Sequence, residues 1–128
     1  NEDMDIINLR LSSVCADDNI PPLKEISPLT QWSLGGITIM NLTDAIRAFT
    51  MSVENPYKPG VRIMNATGPK AWTSVPVAEI LRNWWGDDVD LSYFEQLGNE
   101  YHSVYDVSRI QQEIGFIALH TPEIITSS

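Results

Sequence analysis

A mixed α/β fold is the architecture this chain predicts. Short runs of β-branched and aliphatic residues alternate with amphipathic segments, those segments carry their own capping residues, and Pro- or Gly-bearing turns separate the two kinds. At 128 residues the chain is one domain's worth, residues 1–128, with room for a modest core.

Ile6 to Val14, "IINLRLSSV", reads as one buried strand. Ala16 to Gly36 follows, with Pro21, Pro22, Pro28 and the Gly35-Gly36 pair, and is expected to be a long loop. Ile37 to Met40 is a short strand entering a helix from about Thr43 to Val53. Leu42, Ile46, Phe49 and Val53 keep the four-then-three spacing of a stripe expected to be buried, and Thr43 or Asn41 can cap the helix. "ENPYKPG" is a turn, and Val61 to Met64 is another strand.

Ser74 is expected to cap a second helix, with Pro76 tolerated in its first turn and Gly86 as its stop. Val77, Ile80, Leu81 and Trp84 line one face, so of the Trp84-Trp85 pair one ring is expected in the core and the other on a surface. The stretch from Asp87 to Tyr105 is expected to hold one or two short strands. "YDVSRIQQEIGF", Tyr105 to Phe116, is a complete small helix: Asp106 caps it, Val107, Ile110 and Ile114 share a face, and Gly115 ends it before the apolar Phe116.

Composition narrows the partners. With 17 acidic against 8 basic residues the net charge is -9, and the Lys and Arg residues are scattered singly, so neither nucleic acid nor an anionic membrane surface is expected to bind. No apolar run approaches a bilayer span, "NEDMDIIN" lacks the pattern of a secretory leader, and the single Cys15 has no disulfide partner; a cytoplasmic setting is expected. The sequons at Asn41 and Asn65 are then coincidental.

A self-sufficient active site does not emerge. Gly35-Gly36 stands alone, so there is no dinucleotide fingerprint, and no phosphate loop is present. His102 and His120 lack close Cys or His partners, and Asp87, Asp88 and Asp90 lack the glycine and closing glutamate of a calcium loop, so no metal site is expected. Cys15 reads as a small buried hydrophobe rather than a nucleophile. No catalytic residue is assigned.

Four stretches, in this order, resemble the C-terminal part of an extended short-chain dehydrogenase/reductase, the NAD(P)-dependent epimerase/dehydratase family. "LRLSSVCADD" is similar to the family's L-R-x-x-N-V-Y-G-P strand end, and "ITIMNLTDAIRAF" to its h-V-D-D-V-A-R-A segment. "GVRIMNATGPKAWTSVPVAEIL" resembles g-x-x-x-N-x-G followed by t-S-x-x-E-l, and "YDVSRIQQEIGF" resembles the D-x-S-k-a-x-x-x-L-G-[FW] ending. Together they span Leu9 to Phe116. The resemblance implies the C-terminal part of a Rossmann-type protein with a small mixed α/β substrate lobe, on which the last helix would pack. It also implies NAD or NADP, held mainly by an N-terminal half that this chain does not contain. The family's Tyr-x-x-x-Lys pair is absent; Tyr105 and Arg109 have that spacing but lie at the terminal helix, so the chain alone should be inactive.

By the same resemblance, Ser12, Ser13, Asn65 and Gln96 are the expected substrate-binding residues. Ser13 stands where the family has its strand-end Asn, while Cys15, Ala16 and Asp17 replace Tyr-Gly-Pro. The two arginines that clamp a diphosphate in nucleotide-sugar members fall here at Ile37 and Gln96, and Asn99 replaces a companion aspartate. Arg10, Arg47 and Arg62 look unsuited as substitutes. A small hydroxyl or carbonyl compound, sugar-like but less charged, is therefore the expected ligand, because each missing charge-assisted bond forfeits about 1.5–3 kcal/mol. Asp44 is expected to serve the helix start.

Two alternatives stand beside the enzyme half: a non-catalytic NAD(P)-binding regulatory relative, and a stand-alone small α/β interaction domain. The enzyme half and the regulatory relative predict an exposed apolar face along Ile6 to Leu11 and around the Trp pair, where the missing half would dock; a homodimer is also compatible with the family.

Overall fold

The computed structural model describes residues 3–23, 25 and 37–119; most of the expected 16–36 loop, with Gly35-Gly36, and His120 lie outside the described residues. The order is β1 (Asp5–Leu11), β2 (Ser13–Cys15), β3 (Ile39–Asn41), α1 (Leu42–Glu54), β4 (Gly60–Ala66), α2 (Val77–Trp85), α3 (Ser92–Glu95) and α4 (Ser108–Ile114). This is a mixed α/β arrangement whose strands pair in parallel.

The expected single strand Ile6–Val14 is two strands. β1 runs beside β4 from Asp5↔Gly60 to Leu11↔Ala66, and after Ser12 the chain changes partner, β2 pairing with β3 from Ser13↔Ile39 to Cys15↔Asn41. The break falls where β4 ends: the Ser13 N–H already donates to the Thr38 carbonyl at 3.2 Å. Nor is β1 buried on both faces. Ile7 and Leu9 pack inward with Met64 and Ala66, while Ile6, Asn8 and Arg10 alternate outward beside Val61 and Ile63 and stay exposed.

α1 is capped by Asn41, one of the two expected residues, and Asp17 rather than Thr43 supplies the second acceptor. Asn41 Oδ1 accepts from the Asp44 N–H at 3.1 Å, and the Asp17 carboxylate accepts from the Thr43 N–H at 3.1 Å and from its hydroxyl. Its buried face, however, is the opposite of the expected one. Leu42, Ile46, Phe49 and Val53 are 46, 55, 50 and 85% exposed, and the helix meets the sheet through Asp44, Ala45 and Ala48. Alanines let the helix approach closely, and Asp44 is tolerated inside because its carboxylate accepts from the Leu119 N–H at 3.1 Å and pairs with Arg47 at 3.0 Å. Ile110, Ile114 and Phe116 complete this core against Met40 and Met64. α4 thus packs on β4 and its core rather than on a separate lobe. Asp106 Oδ1 holds its start, accepting from the Ser108 N–H at 2.9 Å and hydroxyl at 2.6 Å, and Gly115 ends it at φ 81°.

A second core forms around α2. Val77, Ile80, Leu81 and Trp84 bury together with Ile37 and Leu91. Trp84 is inside and Trp85 half-exposed, their rings edge-to-face at 5.8 Å. The N-cap position of α2 falls at Pro76 rather than at the expected Ser74, and the Val77 N–H is satisfied by the Glu100 carbonyl at 2.8 Å. The stretch from Asp87 to Tyr105 carries α3 and a bridge between Lys70 and His102 instead of a strand. Asp90 starts α3 by accepting from the Ser92 N–H at 3.1 Å and hydroxyl at 2.7 Å, bonds that hold its carboxyl below the usual range.

Candidate functional site

In open α/β sheets ligands bind beyond the C-terminal ends of the parallel strands. At that end of β1 and β4 lies a cleft of about 330 Å³ lined by Arg10, Leu11, Ser12, Asn65, Thr67 and Tyr105. The parallel register places Arg10 directly beside Asn65, so both rise from the same, open face of the sheet. Ser12 and Thr67 stand where the two strands end, and the Thr67 hydroxyl donates to Ser12 Oγ at 2.7 Å. Asn65 Nδ2 donates to the Asp106 carbonyl at 3.1 Å, which fixes the amide. The Tyr105 N–H donates to Ser103 Oγ at 3.2 Å.

Of the four expected substrate-binding residues, the structure brings Ser12 and Asn65 together here. Ser13 belongs to β2, exposed beside Ile39, and Gln96 closes α3, where its Oε1 accepts from Asn99 Nδ2 at 3.4 Å; neither lines the cleft. Four lining residues were not expected at a site: Arg10, Leu11, Thr67 and Tyr105. Arg10 was legible in part, because the alternation that sends Leu9 inward sends Arg10 outward. Thr67 and Tyr105 arrive through the chain's return after β4, which periodicity does not encode.

The cleft adjoins a second cavity of about 410 Å³ across Tyr105, lined by Tyr93, Phe94, His102, Ser103, Val104 and Asp106. Tyr93 meets Phe94 and His102 edge-to-face at 5.2 and 5.4 Å. The Ser108 hydroxyl and N–H hold the Asp106 carboxyl below its usual range. At the other end of the strands Arg62, 6% exposed, pairs with Asp5 at 2.9 Å and Glu113 at 3.3 Å, and Lys58 joins Glu113 at 3.2 Å. That network ties β1, β4 and α4 together and lies away from the cleft.

The chemistry on offer is hydrogen bonding to hydroxyl and carbonyl groups plus one guanidinium. At the start of α1 the Thr43 and Asp44 N–H groups are held by the Asp17 carboxylate and Asn41, and at α2 the Val77 N–H is held by the Glu100 carbonyl. Among the described residues no three or more His, Cys, Asp or Glu side chains converge as metal ligands, and no helix is long and apolar enough to cross a membrane.

No protein-family model and no curated protein matches the chain. Among solved structures, MoeE5 in complex with UDP-glucuronic acid and NAD is similar at a TM-score of 0.48 and 16% identity, over 95% of this chain and 45% of that one. This chain therefore spans less than half the length of that protein.

Proposed function

We propose that this chain is the substrate-binding portion of an NAD(P)-dependent sugar epimerase/dehydratase or related oxidoreductase. It grips a small hydroxyl- or carbonyl-bearing compound in the cleft of Ser12, Asn65 and Thr67, while a dinucleotide-bearing half supplies NAD or NADP and the proton-transfer groups. The observation that carries this reading is an unfinished parallel sheet beside a polar cleft. Among the described residues β1 pairs with β4 alone, and Ile6, Val61 and Ile63 face outward. Parallel sheets are ordinarily covered on both faces. Between α1 and that free edge runs a groove of about 390 Å³ whose apolar lining is Ile7, Leu9, Phe49, Val53 and Tyr57, with Asp5, Ser52 and Asn55 beside them. A further parallel strand that precedes β1 and is added at its edge requires a crossover, and the right-handed rule puts that crossover's helix on the same face as α1, beside Leu42, Ile46, Phe49 and Val53. A stand-alone domain is instead expected to fold cooperatively as a monomer with that flank left as it is.

Thermal unfolding of the full-length protein with NAD and with NADP tests the proposal. A nucleotide at a hundred times its Kd stabilises the native state by about 2.7 kcal/mol, seen as a raised Tm, and residues 1–128 alone should show no shift. No shift with either nucleotide, together with a monomeric and cooperatively folding 1–128 chain, overturns it. Turnover of a reducible sugar separates the enzyme from a non-catalytic relative.

A further inference from the structure

We infer that the cleft selects ligands bearing a single carboxylate, held by Arg10; the inference rests on the reading of the cleft as a substrate site. Arg47 is engaged with Asp44 at 3.0 Å, Arg62 with Asp5 at 2.9 Å, Arg82 with Glu95 at 2.7 Å, and Arg109 with the Ile63 carbonyl at 3.1 Å. Arg10 has no ion pair or hydrogen bond among the described residues, although the chain carries a net charge of -9 and so offers acids in excess. This one unengaged arginine stands at the cleft, register partner of Asn65 and two residues before Ser12.

The other lining polar groups are neutral: the hydroxyls of Ser12, Thr67 and Tyr105 and the amide of Asn65. They suit hydroxyl groups on a ligand, and the guanidinium adds a planar, permanently charged fork that matches a carboxylate through two parallel hydrogen bonds. A phosphate monoester or diphosphate brings more negative charge than one guanidinium offsets, within the field of a strongly acidic protein. The ligand class is thus a polyhydroxy monocarboxylate, and the cleft of about 330 Å³ sets its size near that of a monosaccharide.

Titration calorimetry on the full-length protein tests this with two matched pairs, glucuronate with glucose and glycerate with glycerol, and with glucose 6-phosphate as a third anion. The carboxylate of a pair should bind about tenfold or more tighter than its neutral partner. Arg10→Gln should abolish that preference while changing the neutral partner's affinity by less than about twofold, and Arg10→Lys should keep part of it. Equal affinity within both pairs, a preference that survives Arg10→Gln, or tighter binding of the phosphate ester overturns the carboxylate assignment and leaves the cleft reading standing. Binding of none of the five probes overturns both.

Discussion

In α2 the large apolar residues Val77, Ile80, Leu81 and Trp84 turn inward and close on Ile37 and Leu91, whereas in α1 Leu42, Ile46, Phe49 and Val53 turn outward and the helix reaches the sheet through Ala45 and Ala48. Both helices keep amphipathic spacing. A periodic stripe names the face that excludes water best; it does not say which neighbour covers it. Around α2 the chain supplies its own cover from the Leu91 turn and α3. Around α1 the described residues cover the small-residue face, and the large stripe adjoins the edge of β1 that no described strand pairs. The α2 region is closed, and the sheet region presents surface.

The largest expected contrast comes from truncating one stripe residue in each helix. Ile80→Ala should cost about 2–5 kcal/mol, because Ile80 is fully enclosed and its loss leaves a cavity. Ile46→Ala in residues 1–128 should change stability by less than about 0.5 kcal/mol, as at other exposed positions. Urea unfolding of both variants measures the difference. In the full-length protein Ile46→Ala should become clearly destabilising if another helix covers the stripe. Equal costs for Ile46→Ala in the two contexts would leave the α1 face a bare surface and break the proposed docking.

Much of the fold was legible because capping and turn chemistry are local. Asn41, Asp106 and Gly115 act where the sequence puts them, and the α2 stripe is buried as expected. The misreadings share one cause: they concern which distant segment satisfies a group. The strand Ile6–Val14 splits because Ser13 finds the Thr38 carbonyl, and α2 starts at Pro76 rather than Ser74, with a carbonyl from Glu100 serving Val77. The α1 stripe misleads because two alanines and a satisfied Asp44, not the four large residues, fit against Met40 and Met64. All four expected site residues came from the resemblance; Ser12 and Asn65 stand at the ends of β1 and β4 and line the cleft, whereas Ser13 lies on β2 and Gln96 after α3.

The helix starts sharpen the same contrast at a smaller scale. Asn41→Ala removes the acceptor of the Asp44 N–H from a buried position and should cost about 1 kcal/mol. Glu100→Ala retains the backbone carbonyl that serves Val77 and should leave α2 within about 0.5 kcal/mol. Thermal unfolding of the two variants distinguishes them. A larger loss from Glu100→Ala than from Asn41→Ala would mean that the Glu100 side chain, which accepts from the Gly98 N–H at 2.9 Å, holds the loop that serves α2.

Acid separates the two regions most gently. Hydrogen bonds from Arg62, then from the Lys58 N–H, hold the Asp5 carboxyl below its ordinary value, and Lys58 and then Arg62 do the same for Glu113. A depressed carboxyl pKa in the folded state contributes stability that is fully present above the unfolded value, about 3.9 for Asp and 4.3 for Glu, and is lost as pH falls through the folded one. Strands β1 and β4 and helix α4, which this network joins, should therefore loosen below about pH 4. In the α2 region the pairs Arg82–Glu95 at 2.7 Å and Arg82–Asp87 at 3.5 Å are exposed and open to screening by salt. Hydrogen exchange read over falling pH should show β4 amides losing protection before those of α2, and Asp5→Asn should lower stability at neutral pH while flattening the acid response. Simultaneous loss of protection in β4 and α2 would show the two regions opening as one cooperative unit, and the open sheet flank would then be held by the closed α2 core rather than by its own ion pairs.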